Sequence, residues 1–249
     1  MCDDHCAFRQ PIIGVVDVTL LTGTPGEAVA DAQRLFVMAA ERSAPELVAI
    51  AADLGQEYVN ERDHLQPTFR ATLEEVAAGV LPCPEVSGVL DHGLGATWPR
   101  LGKFDVSLSW AGSTTVFGEL KCGDSEKALS ACAWDAAKCA FCLRHGVGVG
   151  MLLVAAGPQS LWERYTLGTE LFFGGEWKMA DVRERYAKSF TAWERDGYLP
   201  LRVPETLATF DIGRTKFTIA GKPWVLGVAR VEPVGEAWLE WVPFLPTTG

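Results

Sequence analysis

The spacing of apolar residues changes along the 249-residue chain, and each change marks a different kind of element. Pro11 to Leu21 is an apolar run of strand length. From Thr24 onward, in "TPGEAVADAQRLFVMAAERS", apolar residues recur at three- and four-residue steps. That period predicts a helix capped by Thr24, with Pro25 at its first position and Glu27 completing a capping box. The same period in "APELVAIAADLGQEYVNERD" and "QPTFRATLEEVAAGV" predicts two further helices.

The period then shortens. "KFDVSLSW" and "STTVFGELK" alternate over strand lengths and are separated by Ala111-Gly112, which predicts a hairpin. "GVGMLLVAA" is a third, continuously apolar strand. Between the second and third strands, "SEKALSACAWDAAKCAFCLRHG" predicts a helix started by Asp124 or Ser125 and closed by Gly146. Beyond Pro158 the pattern gives an amphipathic helix in "WKMADVRERYAKSFTAWERDG" and a Pro-punctuated link in "YLPLRVPETL". "KFTIAG", "PWVLGVARV" and "AWLEWVPF" then predict an antiparallel meander turning at Gly221 and Gly235. Helices, hairpin, helix, strand, helix and β tail suit an α/β sandwich around a mixed central sheet. Residues 1–158 would supply the N-terminal helices and core, and 159–249 an extension packed on it.

With 48% hydrophobic residues the chain can bury a full core. Its apolar runs are too short to span a bilayer and no basic-then-apolar segment opens it, so a cytoplasmic protein is expected. In that setting the seven cysteines are expected as thiols. The net charge of −10 argues against a generic basic surface for nucleic acid. The excess acidity nevertheless lies outside Arg100 to Arg144, where six basic residues stand against five acidic ones.

That balanced region holds the unusual chemistry. In "VFGELKCGD", Glu119 and Lys121 interrupt an apolar strand and project from the same face, about 7 Å apart. Pairing across the predicted hairpin sets Asp105 opposite Glu119 to within one residue, so two carboxylates repel at close range. A divalent cation relieves the repulsion, because hard carboxylate oxygens are what Mg²⁺ accepts. Lys121 then points at whatever the metal holds, where an ammonium can orient or help deprotonate an attacking water and offset charge on a phosphoryl transition state.

Asp105, a turn, and Glu119-Leu120-Lys121 at the next strand's end, followed by a helix and an apolar strand, resemble the PD-(D/E)XK nuclease superfamily over roughly Glu85 to Ala156. The resemblance implies a restriction-endonuclease-like α/β/α sandwich and hydrolysis of phosphodiester bonds dependent on Mg²⁺ or Mn²⁺. Asp105 and Glu119 would be metal ligands and Lys121 the lysine beside the water. It also implies a further acid from the preceding helical region, for which Glu57 ranks ahead of Glu61 and Glu74. A second Glu-x-Lys, Glu176 to Lys178, is expected to open a helix and has no aspartate strand before it. The expected partner is nucleic acid, DNA first, with a homodimer or protein partner also open. Lys127, Trp134 and Lys138 share a helix face with Phe141, opposite the stripe of Cys132, Ala136 and Cys139; basic groups interleaved with aromatics suit phosphate contact and base stacking, while a sandwich with layers on both sides would instead have the C-terminal helix or meander cover Trp134 and Phe141. The alternative is a catalytically silent protein of the same fold that binds protein or nucleic acid.

Overall fold

A computed structural model describes residues 24–80, 83–90, 104–110, 114–123, 125–164, 174–185 and 202–240. The expected first strand, Pro11 to Leu21, and the end of the expected meander lie outside those residues. Helix α1 spans Pro25–Asp53 and starts as the sequence requires: Thr24 accepts from the Glu27 N–H, and the Glu27 carboxylate accepts from the Thr24 N–H at 2.8 Å. It does not end before Pro45, where the sequence suggested a second helix. Ala39, Ala40, Ser43, Ala44, Leu47 and Ala51 are all buried and stay in phase across the proline, so continuous burial of one stripe outweighs the lost hydrogen bond. A π-helical turn, Glu61–Leu65, leads into α2, Gln66–Ala78.

The strands are β1 (Glu85–Leu90), β2 (Phe104–Trp110), β3 (Thr114–Cys122), β4 (Gly150–Pro158), β5 (Gly175–Lys178), β6 (Arg202–Ile219) and β7 (Lys222–Glu240). They form one mixed sheet in the order β1-β2-β3-β4-β7-β6-β5, with β3 and β4 parallel and the other pairs antiparallel. Helix α3 (Glu126–Arg144) makes the crossover between the parallel strands; α4 (Gln159–Arg164) and α5 (Met179–Arg185) follow β4 and β5. Alternation along β4 separates the two faces. Leu152, Val154 and Ala156 join the core under α1 and α2, whereas Met151, Leu153 and Ala155 join the core under α3, with Trp162 and Val182. The protein is therefore α/β, with helices on both faces of the sheet.

Two contacts set how closely the layers approach. A Cβ on Gly118 would fall 2.6 Å from the Phe36 ring, so glycine lets α1 lie directly on β3 beside the unusual strand end. On the other face the predicted stripe of small side chains is realised: Cys132, Ala136 and Cys139 are fully buried. The five cysteines among the described residues are free thiols.

The C-terminal region differs most from expectation. Instead of three short strands, β6 and β7 form one long hairpin turning at Ala220-Gly221, and "RVPETL" begins β6 rather than linking to it. Gly235, expected in a turn, sits with φ 62° in a bulge where Glu205 alone faces Gly235, Glu236 and Ala237. Arg144, at the end of α3, donates to the carbonyls of Gly235 and Ala237, which supplies the partners the ladder loses there. Among the described residues no helix is long and apolar enough to cross a membrane.

Candidate active site

The hairpin register runs from Trp110 opposite Thr114 to Val106 opposite Gly118, one step short of Asp105 and Glu119. At that step β2 turns. Val106 faces the α1 side, yet Phe104, two residues away, packs on the α3 side and stacks on Phe117 with ring centroids 4.5 Å apart. Alternation thus breaks at Asp105, whose carboxylate is taken up by hydrogen bonds to β3 and α2. Its Oδ2 accepts the Leu120 N–H at 2.8 Å, and its Oδ1 accepts Gln66 Nε2 at 2.9 Å. The first turn of α2 therefore holds the aspartate of β2 against the backbone of β3.

Two carboxylate–lysine pairs surround this aspartate. Lys121, at the end of β3, reaches helices of both layers: its Nζ lies 3.0 Å from Glu61 of the π turn and 3.1 Å from Asp135 of α3. Glu119, 3% exposed, pairs with Lys138 of α3, whose Nζ is also 4.0 Å from Asp135. Glu119 Oε1 and Asp135 Oδ2 are buried and receive no well-directed hydrogen bond, only the ammonium charges beside them. Four acids, Glu61, Asp105, Glu119 and Asp135, stand against two lysines, so the fully ionised group carries a surplus of two negative charges.

Protonation follows from this crowding. Burial, opposed by the Leu120 N–H and reinforced by Asp135, raises the Asp105 pKa. Burial likewise pushes Glu119 well up against the pull of Lys138, and raises Glu61 against the pull of Lys121. Burial alone would lower both lysines, but Asp135 and Glu61 around Lys121, and Glu119 and Asp135 around Lys138, hold both above the ordinary ammonium range. Lys121 is thus a fixed cation and hydrogen-bond donor, not a base. Of the two roles expected of it, deprotonating water is the one this environment opposes.

These shifts fix the sign of a stability change. A carboxyl whose folded pKa is raised contributes most below its ordinary value of about 4 and loses that contribution as pH rises through the raised value. Asp105→Asn should therefore melt higher than wild type at pH 7 in metal-free buffer, the gap closing as pH falls towards about 4. Calorimetry across that range checks it; a variant melting lower at pH 7 would mean the Gln66 and Leu120 hydrogen bonds outweigh the repulsion.

Several expected site residues fall elsewhere. Glu57 is not with Asp105: α1 ends at Asp53, Gly55 takes φ 62°, and Glu57 lies exposed, bound 2.6 Å from Lys222 of β7, which lowers its pKa. Glu61 occupies the place expected of Glu57. Lys138 is not on an outer face; it is 5% exposed and serves Glu119. Phe141 is buried, Trp134 packs against the α3 core, and the side chain of Lys127 is outside those described. The second Glu-x-Lys lies on β5 rather than opening a helix, and its two charges are exposed at the sheet edge. Sequence reasoning missed Asp135 and Gln66. Asp135 carried a signal, since an acid inside a helix stripe of alanine and cysteine needs a buried cation.

The residues fit Mg²⁺ or Mn²⁺ in donor type and charge: hard oxygens in a cluster two negative charges in excess. They do not converge on one point, because among the described residues no three His, Cys, Asp or Glu side chains gather closely enough to hold a metal ion. No protein-family model matches the chain, and no curated protein or solved structure matches it significantly.

Proposed function

We propose that the protein is a metal-dependent nuclease that hydrolyses phosphodiester bonds of nucleic acid, DNA first, with a restriction-endonuclease-like core of the PD-(D/E)XK type formed by β1 to β4 and α3. The supporting observation is the break at Asp105, whose carboxylate accepts the Leu120 N–H, between Glu119 and Lys121, and feels the charges of that group. In this reading Asp105 and Glu119 would hold Mg²⁺, which would supply charge for the phosphoryl oxygens and a more acidic bound water. Lys121 donates to the attacked phosphate or the water, and Glu61 and Asp135 position it. Gln66 fixes the Asp105 carboxylate.

A second reading has its own support. Glu119 and Lys121 are both taken up by internal partners, which suits a silent member that binds nucleic acid or protein without cutting it. Single- and double-stranded DNA and RNA, incubated with purified protein and Mg²⁺ or Mn²⁺, separate the two. The nuclease reading expects cleavage that stops with EDTA and returns with excess metal. Absence of cleavage on every substrate selects the silent reading.

A further inference from the structure

The two proposed metal ligands are held in different ways. Asp105 accepts from neutral donors, Gln66 and the Leu120 N–H, whereas Glu119 is taken by a cation. Helix α3 lies close on the sheet through the small side chains of Cys132, Ala136 and Cys139, and from that layer Lys138 brings its ammonium onto Glu119 Oε1. Both partners of this pair are buried, so water does little to weaken it.

An ammonium and a divalent ion seek the same lone pairs. Mg²⁺ takes its oxygens at about 2.1 Å, so an ammonium left on the same carboxylate would place two cations a few ångströms apart in a buried site. The interior gives the ammonium a second position. Lys138 Nζ is 4.0 Å from Asp135 Oδ1 and 5.3 Å from the centre of the Phe104 ring. Rotation about the bonds of the lysine stem moves it from Glu119 to Asp135 without leaving the protein. The surplus of two negative charges in the fully ionised group is what one divalent ion neutralises with both lysines still inside.

We propose that Lys138 is a built-in competitor of the divalent cation at Glu119: its ammonium holds that carboxylate in the metal-free protein and shifts to Asp135 when the carboxylate ligates. This role rests on the metal site of the nuclease reading and adds the residue that sets its affinity. With Lys138 on Glu119, and Lys121 between Glu61 and Asp135, the described acids are spaced by ammonium groups rather than gathered on one point.

Titration calorimetry with Mn²⁺, repeated with Ca²⁺, compares wild type, Lys138→Met, Glu119→Gln and Glu119→Gln/Lys138→Met. Lys138→Met should bind Mn²⁺ about tenfold more tightly than wild type or better, and its melting temperature should rise further on saturation. In the Glu119→Gln background the same substitution should give no gain, since the competition needs that carboxylate. A gain of equal size in both backgrounds means that Lys138 acts only through long-range charge, which overturns the proposal. Lys138→Met no tighter than wild type, beside a wild type that binds, overturns it and leaves the metal site intact. Neither ion bound by any of the four proteins overturns the competitor and the metal site together. Because Lys138→Met is expected to be unstable without metal, wild type carries a second measurement: the Nζ signal of Lys138 in protein labelled with ¹⁵N-lysine, followed by NMR as Mg²⁺ is added. A signal that moves with saturation supports the shift to Asp135, and one that stays fixed while Mg²⁺ binds overturns it.

Discussion

Lys121→Ala should lower phosphodiester cleavage by about 10²-fold or more if the proposed nuclease reading holds, the usual scale for a lost charge-stabilising donor. In the proposed nuclease, Asp105→Ala should do the same by a different route, removing a proposed metal ligand. The side chains around Lys121 make its result interpretable. Without the ammonium, Glu61 and Asp135 face each other across a buried gap, so Lys121→Ala should also lose stability. Adding Glu61→Gln removes one of the opposed charges and should recover much of that stability while restoring no cleavage. If activity returns with stability, Lys121 only holds the fold. Lys121→Arg should rescue cleavage partly at best, because a guanidinium is larger and planar and presents its donors in a different geometry from the compact ammonium. Cleavage that survives in both Lys121→Ala and Asp105→Ala would place the activity in another site or another protein.

Lys138→Met should be the most destabilising substitution in this group, costing about 3–5 kcal/mol at neutral pH. It leaves Glu119 buried near Asp135 and Asp105 without its own counter-ion, the remaining Lys121 being paired with Asp135 and Glu61. Protonation relieves that charge, so the loss should shrink as pH falls, the direction set by the raised Glu119 pKa. Glu119→Gln/Lys138→Met should recover most of it, because a neutral pair of similar volume needs no counter-charge. Urea unfolding at pH 5 and pH 8 measures all three proteins. A Lys138→Met protein within about 0.5 kcal/mol of wild type would mean Glu119 is already protonated and the pair contributes little.

The sequence made the strand end legible because its chemistry is local. A strand alternates whatever packs around it, so Glu119 and Lys121 had to share a face, and hairpin pairing brought Asp105 to them. The helical contributors were harder to see for a definite reason. Periodicity places Trp134, Lys138 and Phe141 on one side of α3 but cannot say whether that side is covered; here the sheet and C-terminal strands enclose it, and the lysine becomes an internal counter-ion. Glu57 and Glu61 differ by four residues, and only the exit of the chain from α1 at Gly55 decides that one meets Lys222 and the other Lys121. The long β6/β7 hairpin was broken into pieces because glycine and proline look alike in a turn and in a bulge.

Strand order also sets a timetable for synthesis. β4 lies between β3 and β7, and its pairing with β7 joins Leu152 through Pro158 to residues 224–230. On the ribosome, β4 emerges with its neighbour on one side and must wait some seventy residues for the other. At bacterial-to-eukaryotic elongation rates that is on the order of several seconds. Throughout that interval a fully apolar strand has an open edge, and the acids and lysines of β3 are already present with the sheet beside them unfinished. A nascent chain paused between β4 and β7 is where the unpaired edge of β4 is most open to mispairing.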